Sequence, residues 1–313
     1  MMGSASLYLA SPELSEATRV MAGRGGENFQ VAARVLSRRD RRHLLAVYGF
    51  ARLADEIGDE YQGDRLAALD WLEGELDRAY AGRARDPLLR ALQGTLVECE
   101  LPREPFVRLI DANRTDQRIA RYETWEQLKD YCALSAKPVG ELVLRVFGLL
   151  TPARLALSDG VCTALQVIEH VQDLAEDVAR GRLYLPAEDL ARFGGSHEQL
   201  SNLIAGSGQE GEGGVVRVGA TARGCGSQDA RSAVRQTVCF EMDRAAELLD
   251  GGVALVRAVP GRAKLAVAGF VSGGRAALGA IERADFEVLA GPPRASRGRR
   301  ALALGRLLAE SLR

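Results

Sequence analysis

The segment that most constrains the fold is residues 161–186, VCTALQVIEHVQDLAEDVARGRLYLP. On a helix advancing 100° per residue, Gln166, Glu169, His170, Asp173 and Asp177 fall within an arc roughly 100° wide. Much of the remaining circumference is apolar: Val161, Ala164, Leu165, Val167, Ile168, Val171, Leu174, Ala175 and Val178. Such a helix is buried on most sides, and burying carboxylates without partners is costly. The polar stripe therefore faces something other than bulk water, and a polar cavity that binds cations resolves the conflict.

A second stripe lies at 48–59, YGFARLADEIGD. Tyr48, Arg52, Asp55 and Asp59 share one helix face, while Phe50, Leu53, Ala54 and Ile57 cover other directions. Carboxylates at i and i+4 stand one turn apart on the same side, so both reach one cluster of hard cations. Mg²⁺ takes oxygen ligands, keeps several waters, and is held by a few carboxylates plus substrate phosphate oxygens. One Asp-x-x-x-Asp pair is common on a solvated helix face. Two such pairs, each set among apolar residues and accompanied by Arg, Tyr or Gln, point to paired metal sites. Asp55 with Asp59 and Asp173 with Asp177 would hold Mg²⁺ and a diphosphate between helices of a bundle.

The rest of the chain supports that architecture. Helical spacing recurs near 44–54, 66–80, 104–112, 125–149, 153–179, 229–259 and 261–281, in stretches rich in Ala, Leu, Arg and Glu. Period-2 alternation is nearly absent, so the expected fold class is all-α, a helical bundle with a central cavity. The formal net charge of -1 gives no electrostatic reason to expect nucleic acid. The five cysteines contain no Cys-x-x-Cys pair, and none of the three histidines is paired at i, i+4, which argues against a disulfide scaffold and a zinc site. No run of 18 apolar residues predicts a spanning helix, and no basic-then-apolar start predicts a signal peptide. The expected location is the cytoplasm.

Three regions follow from punctuation and composition. Residues 1–25 read as an N-terminal extension and 26–290 as one helical domain. Within that domain, 206–228 carries eight Gly in 23 residues and is expected to be a mobile loop. Residues 291–313 form a basic tail, with GPPRASRGRR read as unstructured and ALALGRLLAESLR as a short amphipathic helix. That tail suits peripheral contact with the inner, anionic face of a membrane. A frayed, solvated terminus fits it equally.

The motifs together resemble the squalene/phytoene synthase family of all-α isoprenoid synthases. DEIGD (55–59) is similar to its first aspartate-rich motif, QDLAEDVARGRLYLP (172–186) to its second, and YCALSAKPVG (131–140) to the segment between them. The resemblance covers most of 26–290 outside the Gly-rich stretch. GENFQVA (26–32), the Ser-Ala-Lys-Pro-Val-Gly sequence and PGRAKLAVAGFVSGGRAALGAIERADFEVL are most similar to the family's bacterial hydroxysqualene synthase branch of the hopanoid pathway. The resemblance implies an isoprenoid-synthase-like bundle, a prenyl diphosphate substrate, Mg²⁺, and other hopanoid-pathway enzymes as partners. For this branch it implies that presqualene diphosphate loses diphosphate and the cation is trapped by water as hydroxysqualene, with no NADPH required. Two alternatives stand beside it: head-to-head condensation to presqualene diphosphate or phytoene, and a non-catalytic relative that acts in assembly or binding. Two positions depart from the family pattern. Glu56 stands where many relatives carry a second Asp, and Glu169 where Asn is common; Glu169 is either a further metal ligand or a like charge that weakens diphosphate binding.

Roles follow from the chemistry. Asp55, Asp59, Asp173 and Asp177 would hold the metal as a Lewis acid and template for the leaving diphosphate. Arg52 and Arg182 would add fixed positive charge to phosphate oxygens, or else pair with the same aspartates. Tyr48, Tyr131, Tyr184 and Phe29 are the aromatic candidates for facing a carbocation, each worth ~0.5–2 kcal/mol. By resemblance, Tyr131 lies near the reacting carbons, the alternative being an ordinary core tyrosine. Gln166 would orient water or a metal-bound oxygen, or simply hydrogen-bond in the interior. Asn28 replaces a serine that contacts diphosphate in relatives, or caps a helix. His170 reads as a packed histidine outside the site, and Cys132 and Cys162 as small core fillers.

Overall fold

The computed structural model describes residues 36–207 and 223–312. Asn28, Phe29, the 1–25 extension and the centre of the Gly-rich segment, 208–222, lie outside the described residues. Among the described residues, thirteen α-helices follow one another: α1 (Arg38–Asp59), α2 (Arg65–Tyr80), α3 (Pro87–Glu98), α4 (Glu104–Asp116), α5 (Trp125–Ser135), α6 (Lys137–Val146), α7 (Pro152–Gln172), α8 (Leu174–Ala179), α9 (Ala187–Arg192), α10 (His197–Ser207), α11 (Arg223–Ala258), α12 (Gly261–Arg283) and α13 (Arg297–Glu310). Among the described residues there is no strand, only one isolated parallel bridge between Arg121 and Leu183. The all-α expectation holds.

Local chemistry sets the helix starts. Ser37, Asp64, Asp86, Thr124, Thr151 and Ser296 cap α1, α2, α3, α5, α7 and α13, each side chain accepting from a backbone N–H of the first turn. Pro87, Pro105, Pro138 and Pro152 sit in first turns, where a missing N–H costs nothing. Pro138 also divides the long periodic stretch 125–149, so α5 gives way to α6 at Ala136. The stretch 153–179 is likewise divided. Asp173, at φ -97° and ψ 9°, ends α7 and begins α8, which puts an acidic motif residue at a helix junction.

Two apolar clusters form the interior. One gathers Phe50, Ile57, Leu72, Leu89, Phe106 and Leu142 from α1–α4 and α6. The other gathers Val167, Val171, Leu190, Val238, Val256 and Val271 from α7, α9, α11 and α12. Helices α7, α11 and α12 pack closely, and at Gly274 an added Cβ would lie 2.5 Å from a Leu165 methyl and 3.3 Å from a Leu249 methyl, so a larger residue there would have to displace them. By length and composition α12 is apolar enough to cross a membrane, unlike the sequence expectation, but 61% of that window is buried inside the fold, as in a core helix.

The tail and the Gly-rich boundaries differ from expectation. α10 extends to Ser207 and α11 starts at Arg223, so helix enters the 206–228 stretch from both sides. In the tail, helix begins at Arg297, four residues earlier than read, and Leu307 is fully buried. Arg275 Nη1 binds Glu310 Oε2 at 2.7 Å, and Arg257 Nη2 donates to the Glu310 carbonyl at 2.8 Å, tying α13 to α12 and α11. The composition looked disordered because the helix's apolar face is short.

Candidate active site

A cavity of about 1020 Å³ lies at the seam of the two apolar clusters. Its walls come from α1, α4, the α5–α6 junction, α7, α12 and the segment before α13. Its apolar lining is Leu44, Val47, Leu109, Val139, Val143 and Phe270, and its polar lining includes Asp55, Gln166, Glu169, Gln172, Asp173, Arg294 and Arg300.

The cavity-lining carboxylates keep accessible surface on the cavity side but are otherwise surrounded by protein. Asp55 is pushed up to about 6, first by this enclosure and further by the charges of Asp59 and Glu169, against a hydrogen bond from Asn113. Enclosure also raises Glu169, with Asp173 and Asp177 adding to it, and raises Asp173, with Asp177 and Glu176 adding to it. Asp55 and Glu169 thus feel each other across the cavity although 114 residues separate them in the chain. Acids that repel one another in an enclosed space are short of positive charge. That is the donor chemistry a divalent cation fits. Among the described residues, no three acidic, His or Cys side chains stand close enough to hold an ion alone, so further oxygen ligands must complete any such site.

The remaining predicted residues divide between the cavity and the layer behind it. Tyr48 and Gln166 line the cavity with Asp55, Glu169 and Asp173. Asp59 instead binds Arg182 Nη1 at 2.5 Å, and Arg182 Nη2 reaches the Gly58 carbonyl at 3.4 Å. Arg52 Nη2 lies 3.8 Å from Glu60. Both arginines therefore take the ion-pair alternative, Arg52 with a different acid from the one foreseen. Asp177 Oδ2 stands 3.8 Å from His170 Nδ1.

Tyr131 and Tyr184 lie behind the wall. Their hydroxyls donate to the two oxygens of Asp116, at 2.7 and 3.0 Å. His170 stacks on Tyr184 with ring centres 3.7 Å apart, and Tyr122 packs on both tyrosines. Burial raises Asp116, with its tyrosine partners and Arg182 pulling the other way. His170 Nε2 lies 3.2 Å from Gln166 Nε2, so this packed histidine links the aromatic layer to the cavity wall. The chain after the second motif is fixed by Leu183 N–H to Ala120 O (2.8 Å) and Ala187 N–H to Tyr122 O (3.0 Å).

Sequence reasoning missed Asn113, Asp116, Arg294 and Arg300. Asn113 Nδ2 donates to Asp55 Oδ1 at 3.3 Å. Gly58 makes room for it: a Cβ there would lie 2.1 Å from Asn113 Oδ1. The signal was available in NRTDQ (113–117), polar residues at helical spacing next to an apolar run, but a single such stripe resembles a solvated face. Arg294 reaches the cavity because Gln172 Nε2 holds the Pro293 carbonyl at 2.5 Å, a contact no local pattern encodes.

A family model described as "Squalene/phytoene synthase" matches residues 22–301. A hydroxysqualene synthase from Sinorhizobium fredii is 38% identical over 178 residues, 56% of this chain and 60% of that protein. The match likewise spans 60% of the hydroxysqualene synthase of Rhodopseudomonas palustris, less than two thirds of these curated relatives' length. The crystal structure of squalene synthase HpnC from Alicyclobacillus acidocaldarius superposes with a TM-score of 0.73 at 42% identity, covering 89% of this chain and 94% of that one. A dehydrosqualene synthase structure has the same fold at 22% identity, with a TM-score of 0.76 and coverage of 94% and 97%.

Proposed function

The chain belongs to the squalene/phytoene synthase family, whose members are prenyl diphosphate-processing enzymes, and on that premise we propose that it converts presqualene diphosphate to hydroxysqualene and diphosphate with Mg²⁺. The observation that carries this reading is one cavity lined both by acidic and other polar side chains and by apolar ones. The polar lining suits a diphosphate and the apolar lining a long hydrocarbon. The likeness to named hydroxysqualene synthases supports the water-trapping branch.

Carbon–oxygen ionisation is slow unless the charge growing on the leaving group is neutralised. Mg²⁺ supplies that neutralisation when bound, with Asp55, Asp173 and Glu169 as its protein ligands facing the cavity and Asp59 and Asp177 beside them. Asn113 keeps one Asp55 oxygen engaged and leaves the other for the cavity. Arg294 and Arg300 meet the diphosphate from the opposite wall. The apolar lining keeps bulk water from the hydrocarbon, so that capture takes place at a chosen carbon. No reductant enters this scheme. On the outer face of α13, exposed Leu302 stands with Arg299 and Arg306, which supports peripheral contact with an anionic bilayer.

The test is incubation of purified protein with presqualene diphosphate and Mg²⁺, without NADPH. The expected result is an alcohol and free diphosphate, abolished by EDTA. Presqualene diphosphate or phytoene made from shorter prenyl diphosphates, with no alcohol from presqualene diphosphate, would assign condensation instead. No turnover of any prenyl diphosphate would leave an assembly role.

A further inference from the structure

Ser135 lines the cavity. It is the last residue of α5, one turn beyond Tyr131 and one turn before the apolar lining residue Val139. Its Oγ is nonetheless buried and makes no hydrogen bond to any described residue. Leaving a buried hydroxyl unpaired is costly, and native proteins rarely do so without cause. The neighbouring wall residues Val139, Val143 and Leu109 offer no donor or acceptor side chain. Ser135 is itself half-buried and lines the cavity, so a rotamer that turns Oγ toward the cavity would take its partner from the cavity contents.

We infer that Ser135 holds the water molecule that traps the carbocation, and so selects alcohol over hydrocarbon. This rests on the functional reading above and adds to it the residue that selects the product. A serine hydroxyl both donates and accepts, so it positions a water without removing its nucleophilic lone pair. The water oxygen forms the new C–O bond with the cationic carbon. One water proton is then lost to the released diphosphate, the strongest base set free in the cavity. Cation plus water gives alcohol plus one proton, and nothing is oxidised or reduced. Without a held water, the cation loses a proton from an adjacent carbon instead, giving an alkene.

The experiment measures alcohol formed per diphosphate released, from presqualene diphosphate and Mg²⁺ in H₂¹⁸O. Wild type is expected to give ¹⁸O-labelled alcohol. In Ser135→Ala the alcohol share per diphosphate is expected to fall about fivefold in favour of alkenes, the equivalent of one hydrogen bond of ~1 kcal/mol. Ser135→Thr, which keeps the hydroxyl, is expected to restore it. Thermal melts guard against misfolding, and removal of an unpaired hydroxyl is not expected to lower them. Labelled alcohol from wild type with an unchanged alcohol share in Ser135→Ala would overturn the role of Ser135 and leave the functional reading intact. Wild type releasing diphosphate without labelled alcohol would overturn both.

Discussion

Two sets of enclosed carboxylates are handled in opposite ways by this fold. Asp189 on α9 and Glu241 on α11 are both buried, and Arg244 Nη1 binds them at 2.6 and 2.8 Å. The Arg244 guanidinium lies over Phe240 at 4.2 Å and Trp125 at 4.8 Å, which holds it in place. Glu241 Oε2 has no donor from the described residues; a proton shared with Asp189 would supply one. Asp55, Glu169 and Asp173 instead face a cavity, relieved by an amide on Asp55 and by the nearby charges of Arg52, His170 and Arg294, none of which binds them directly. An acid that the chain neutralises itself holds helices together. An acid left facing a cavity is reserved for something that enters it.

Removing charge from each set in turn gives the sharpest test of that contrast. Asp173→Asn is expected to lower diphosphate release by about three orders of magnitude or more, because a metal-holding oxygen is lost where charge develops. Thermal stability should stay level or rise as repulsion is relieved. Retained turnover, or turnover indifferent to EDTA, would end the metal reading.

The reverse pattern is expected at the other set. Arg244→Met strands Asp189 and Glu241 without their cation, and breaking a buried ion pair costs roughly 3–5 kcal/mol. Urea denaturation should show a loss on that scale, with turnover per folded molecule little changed. An activity loss as large as that of Asp173→Asn would erase the distinction between the two sets.

Stability against pH separates them again. Glu241 is raised above the ordinary glutamate value of 4.5, by burial first and by Asp189 next. A raised acid binds its proton more tightly in the folded state, so its contribution is full below pH 4.5 and is lost as pH rises through the raised pKa. Asp55 acts the same way in metal-free protein, its contribution lost between 3.8 and about 6. Melting temperatures from pH 4 to 8 should therefore fall, and Glu241→Gln should flatten the upper part of the curve. Adding Mg²⁺ with inorganic diphosphate should recover the Asp55 part and leave the Glu241 part untouched. Recovery of both parts would mean that the two sets are linked.

The smallest effect is expected at Asn113→Leu, which removes the donor to Asp55 and keeps the volume. The loss of about 1 kcal/mol corresponds to roughly a fivefold fall in kcat/KM. An unchanged value would show that Asp55 is oriented without it.

The repeating patterns were legible in the sequence; the junctions between them were not. The stripes at 48–59 and 161–186 told which faces needed a cavity, since period and burial cost are local properties. The same reasoning treated 153–179 as one helix and 125–149 as another, although Asp173 and Pro138 divide them. It also placed the tyrosines by their ring chemistry and could not foresee Asp116, which draws both hydroxyls behind the wall. Arg294 was hidden for a different reason: Gly, Pro and Arg in succession read as disorder, and only a contact 121 residues away fixes the segment.

That late contact also bears on synthesis. The cavity's walls begin with α1 and are completed by residues 292–300, which follow every other wall in chain order. During translation the remaining walls are made while this one is still missing. A ribosome-bound chain halted before that point would carry both acidic motifs yet leave one side of the chamber open. The last part of the wall would then complete the site, and a chain cut just before Gly291 should bind prenyl diphosphates poorly however well its motifs are folded.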